Sequence, residues 1–120
     1  MATECYQMQE ILIQHQPSLI GTTKVAQVEQ GESLITLADR LDELAVKDST
    51  LGDHRDQLVR LYRHSGELTL TETTFMEADG SIILTSAVRE TYEQVSEEAR
   101  QAFRETQTER NALRLYCSLQ

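Results

Sequence analysis

A chain of 120 residues with 39% apolar residues, no Trp, two Phe and four Tyr is long enough for one thin hydrophobic core and too short for two. Its formal charge of -9 repels phosphate backbones and anionic membranes at long range and favours basic protein surfaces, or simply keeps a small protein soluble. No apolar run approaches the roughly 20 residues of a membrane span, and MATECYQMQE lacks the basic and apolar regions of a signal peptide, so the expectation is one cytoplasmic domain over residues 1–120.

In the first segment, residues 1–17, Cys5, Met8, Leu12 and His15 recur three to four residues apart with Ile11 alongside, which predicts a short amphipathic helix. Pro17 disfavours helical geometry at Gln16 and predicts its end. Cys5 and Cys117 stand near opposite ends of the chain. Two cysteines do not make a disulfide framework, so free thiols in a reducing compartment are expected, with pairing left open should the ends meet. Ser18 to Gly31 reads as an irregular connector, with a short helix after Thr23 as the alternative.

Residues 32–65 predict a helix pair. Leu34, Leu37, Ala38, Leu41, Leu44 and Ala45 form the strongest helical stripe in the chain, opposite Asp39, Arg40, Asp42 and Glu43, with Ser33 as N-cap. The second helix would take Thr50 as N-cap, bury Leu51, Leu58, Leu61 and Tyr62, and stop at Gly66 in the C′ position. Over residues 67–85, the alternating ELTLTETTF, the Asp79-Gly80 turn signal and SIILT predict a β-hairpin. Leu68, Glu72, Phe75 and Met76 also fit one helical stripe. Residues 86–118 then predict one long helix with no internal Gly or Pro. Its seam contains Ala99, Thr106 and the charged Glu109 and Arg110, too weak for a free-standing coiled coil. Glu93/Glu97 and Arg110/Arg114 are like-charged at i,i+4, so salt bridging does not explain this helix.

The expected fold class is therefore mainly α with a β element (α+β): helices, one small β-hairpin and a long C-terminal helix. That order, carried by TLADRLDELAVKDSTLGDHRDQLVRLYRHSGEL and the following hairpin, resembles winged helix-turn-helix proteins. The resemblance implies Arg55, Arg60 and Arg63 on or near DNA, the hairpin as the wing, and the long helix as a dimer interface. Against it, Glu72, Glu77 and Asp79 leave the wing without a cation to meet phosphate.

No constellation of catalytic type emerges. His15, His54 and His64 are scattered, the latter two about 15 Å apart on one helix, and with the cysteines at the far ends no zinc spacing exists. Adjacent carboxylates such as Asp42/Glu43 point to different azimuths, and each Gly stands alone. No enzyme activity, metal or cofactor is expected. The leading expectation is a small acidic protein-interaction module (adaptor, assembly factor or regulator) that contacts a protein with a basic surface, or a second copy. Its contact residues would be Tyr92, Val95, Ala99, Phe103, Leu113 and Tyr116; the competing reading packs that seam inside the monomer. The alternatives are a winged-helix-like DNA-binding regulator using Arg55, Arg60 and Arg63, and an acidic nucleic-acid mimic presenting Glu90, Glu93, Glu97 and Glu98.

Overall fold

The computed structural model describes residues 2–14 and 22–119. Among the described residues it has four helices and no strand or sheet: α1 (Ala2–Gln14), α2 (Lys24–Glu43), α3 (Ser49–Thr73) and α4 (Ser86–Ser118). The β-hairpin expected over 67–85 is absent. His15 and Pro17, the expected end of α1, lie outside the described residues.

Helices α2 and α3 each begin where a side chain satisfies one of their first free N–H groups. Thr23, extended at φ -71 and ψ 161, accepts from the Ala26 N–H at 3.2 Å and starts α2. Helix α2 thus begins well before Ser33, and of the expected connector the stretch from Lys24 to Gly31 is helical, as the alternative of a helix after Thr23 has it, while residues 18–21 lie outside the described residues. Asp48, not Thr50, caps α3 by accepting the Leu51 N–H at 2.7 Å. That N–H holds the Asp48 carboxyl below the usual carboxylate range, with Tyr116 adding a weaker pull.

Helix α3 also overruns its expected end. Gly66 does not terminate it but lies buried within it, where α2 packs against it too closely for a side chain. A methyl group there would stand 2.6 Å from Ile35 Cγ1 and 2.8 Å from the Gly31 carbonyl oxygen. Gly31 in turn leaves room for Leu70, whose Cγ would be 2.8 Å from an added Cβ. The threonines of ELTLTET, read as strand formers, are accommodated as helix residues. Thr69 Oγ1 donates to the Ser65 carbonyl at 2.8 Å, Thr71 Oγ1 to Glu67 at 2.9 Å and Thr73 Oγ1 to Leu70 at 2.5 Å. Helix α3 runs on to Thr73 with Leu68 and Thr73 buried, so the alternating pattern does not hold, while Phe75 and Met76 of the expected helical stripe fall beyond its end.

The Asp79-Gly80 turn does form. Gly80 takes φ +92, and the Asp79 carboxylate accepts from the Ser81 N–H at 2.9 Å and from its hydroxyl at 2.6 Å. Only an isolated antiparallel bridge, Met76 to Ile82, flanks it. The Lys24 N–H donates to the Ala78 carbonyl at 3.3 Å, which ties this hook to the start of α2.

Cross-helix contacts fix the directions. Arg63 meets Asp39 and Arg55 meets the Leu44 carbonyl, so α2 and α3 are antiparallel; His54 meets Glu109 and Phe75 meets Tyr92, so α3 and α4 are as well. Helix α1 covers only one end. There Cys5, Met8 and Leu12 join Leu37, Ala38, Leu41, Leu51, Leu58, Val59, Tyr62 and Leu113 in one core. Met8, Leu37, Leu41, Leu51, Leu58 and Leu113 are fully buried, each worth roughly 1.5–3 kcal/mol. Glu4 fastens α1 to the turn before α3 by accepting the Lys47 N–H at 2.7 Å and the Asp48 N–H at 3.4 Å.

Cys5 and Cys117 form a disulfide, with Cα atoms 5.8 Å apart. This corrects the expectation of free thiols and removes the thiol argument for a reducing compartment. No helix among the described residues is long and apolar enough to cross a membrane.

Candidate interaction groove on α4

The contact residues expected from the sequence do not share one surface. Leu113 is inside the core. Tyr116 braces α4 against the start of α3: its hydroxyl donates to Asp48 Oδ1 at 2.9 Å, and its ring lies 5.6 Å from that of His54. Burial, and next the Asp48 carboxylate, push the Tyr116 hydroxyl pKa up. His54 Nδ1 completes this brace at 2.6 Å from Glu109 Oε1.

Further along α4, toward its N-terminus, the chain opens. Tyr92, Ser96, Ala99, Arg100, Phe103 and Arg104 line a groove of about 470 Å³, with Glu72 of α3 on its far wall. Tyr92 is steadied by an edge-on contact with Phe75, ring centroids 5.5 Å apart, while Phe103 is 63% exposed. Val95 is half-buried on the same helix. Burial pushes the Glu72 carboxyl up, and Arg100 opposes that shift. Glu97 holds Arg100 at 2.8 Å and Arg104 at 3.5 Å, so its own carboxyl is pulled down, chiefly by the Arg100 hydrogen bonds. Glu90, Glu93 and Glu98 are exposed.

The residues assigned to DNA contact are committed to their own chain. Arg55 donates to the Leu44 carbonyl and to Asp56, Arg63 pairs with Asp39 at 2.9 Å, and Arg60 donates to Gln57. Arg60, Arg63 and His64 border a shallow depression shared with Asp42, Asp56 and Glu67, which offsets their charge. With no hairpin, there is no wing beside them.

Two features escaped the sequence reading. One is Glu72, assigned to a strand that does not exist. The other is a second groove of about 400 Å³, where Gln107, Arg110, Asn111 and Arg114 of α4 face Gln9, Leu12 and Ile13 of α1. The like-charged Arg110/Arg114 pair was legible in the sequence, but its position against α1 depends on how the chain ends meet. Among the described residues, no group of three or more His, Cys, Asp or Glu is placed to hold a metal ion. Comparison with known proteins finds no matching family model, curated protein or solved structure.

Proposed function

We propose that this protein is a non-enzymatic protein-interaction module whose contact surface is the exposed face of α4. The observation that carries this reading is Phe103, an aromatic side chain left 63% exposed on a grooved face beside Tyr92 and Ala99. Aromatic residues flanked by arginines are what protein-binding surfaces use as anchors. The contact set is accordingly narrowed from the six residues expected to Tyr92, Ala99 and Phe103, with Glu72, Arg100 and Arg104 at the rim. The exposed Glu90, Glu93 and Glu98 on the same helix favour a partner that offers cations.

The test is cross-linking of a bound partner with wild type and Phe103→Asp, alongside circular dichroism. Retention of the partner by a folded Phe103→Asp variant would remove this face from consideration. Its loss with unchanged helicity supports the assignment, since an exposed side chain contributes little to the fold.

A further inference from the structure

Helix α4 distributes its charge unevenly about Phe103, which directly follows its midpoint at Ala102. The half before Phe103 carries Glu90, Glu93, Glu97 and Glu98 against Arg89 and Arg100. The half after it carries Arg104, Arg110 and Arg114 against Glu105 and Glu109, and Glu109 is already engaged by His54. Within one chain the acidic pair Glu93/Glu97 and the basic pair Arg110/Arg114 each repel. Among the described residues, neither Arg110 nor Arg114 has a carboxylate within salt-bridge distance; Arg114 donates only to Asn111, at 3.0 Å.

The placement of these pairs is symmetric. Glu93 lies as many residues before the Phe103–Arg104 bond as Arg114 lies after it, and the same holds for Glu97 and Arg110. A half-turn about an axis beside that bond therefore brings Glu93 of one α4 level with Arg114 of a second α4, on the side of the helix that Phe103 occupies, in a single antiparallel register. Phe103 would sit at the axis itself. The cations closest to it, Arg100 and Arg104, are neutralised in cis by Glu97. The same half-turn lays the Tyr92–Phe103 stretch of one copy along the groove that Arg110 and Arg114 form with α1, whose Ile13 is 71% exposed.

Resting on the reading of α4 as an interaction surface, we propose that its occupant is a second copy of this chain. The result is a two-fold antiparallel homodimer with Phe103 packed at the axis and Glu93 of each copy paired with Arg114 of the other. Such an interface uses the same patch twice and closes at two copies, so it yields no filament.

Light scattering after size exclusion, over a rising concentration series, reads the mass directly. Wild type is expected to pass from 13.7 kDa to twice that mass. Phe103→Ser, with unchanged circular dichroism, is expected to stay at the lower mass. Glu93→Arg alone and Arg114→Glu alone are each expected to weaken self-association by about tenfold or more. Mixed together, those two variants are expected to recover a heterodimer, because each then presents the charge the other lacks. Recovery in the mixture cannot come from misfolding of either variant. A wild type that remains monomeric, or a mixture no heavier than its components, overturns the proposal. A monomer that still loses a cross-linked partner on Phe103→Asp would overturn the homodimer alone and leave the interaction module standing.

Discussion

Gly31, Gly66 and Gly52 look alike in the sequence, yet their surroundings assign them opposite roles. At Gly66 an added methyl meets the Gly31 backbone oxygen, which cannot rotate away, so Gly66→Ala should destabilise by about 1–3 kcal/mol. At Gly52, inside α3, nothing lies within 4 Å, and Gly52→Ala should stabilise by about 0.5–1 kcal/mol through reduced freedom of the unfolded chain. Urea titration of both variants checks the contrast; equal shifts would contradict the close approach of α2 and α3. Glu72 supplies the pH test. Burial raises its folded carboxyl above the ordinary glutamate value, so folding favours the protonated form. The associated stability is present below that value and is lost as pH rises through the raised one. Glu72→Gln should therefore raise the urea midpoint at neutral pH, a gain that fades under acid conditions; a gain independent of pH would point away from the carboxylate.

At the scale of elements, α1 is the one most dependent on a covalent tie. It is only 13 residues long, too short to be helical by itself in water, and it is held by three buried side chains, the Glu4 clasp and the disulfide. The disulfide spans a sequence separation of 112 and restrains almost the whole unfolded chain. Cys5→Ser, or reduction, should cost roughly 2–4 kcal/mol. Comparing urea midpoints of wild type with and without a dithiol measures this; no shift would mean that the core alone retains α1. Helix α3 teaches a different lesson. Its threonines and its alternation both favour a strand, but among the described residues there is neither a partner strand nor a sheet face for them. Leu68 is buried, Glu72 faces α4 across the groove, and Gly31 gives Leu70 a place against α2.

As a whole the molecule is a rod of 52 × 23 × 20 Å with a Cα radius of gyration of 16.1 Å. A compact chain of this length would have about 14 Å. The length is that of α4, whose 33 residues span about 50 Å. The main core fills only the end that α1 covers, so stability should be graded along the axis. Hydrogen exchange should be slowest at Leu41, Leu58 and Leu113, and faster in the 74–85 hook and in α4 before Ala99. Uniform protection would contradict this polarity, unless it develops with concentration, as covering of α4 by a second copy would produce.

The sequence alone determined the α4 boundaries, the apolar faces of α1 and α2, the Asp79-Gly80 turn and the charge layout of α4. All of these follow from local periodicity, from the demands of a positive φ, or from counting. It did not determine where α2 begins or where α3 ends, because Gly31 and Gly66 read as breakers until two helices are seen to need their missing side chains. Nor did it determine the Cys5–Cys117 bond or the division of the α4 seam into a buried half with Leu113 and an open half with Phe103. Those depend on α1 folding back over one end of the bundle only. That is a long-range contact between the two ends of the chain, which no local pattern encodes.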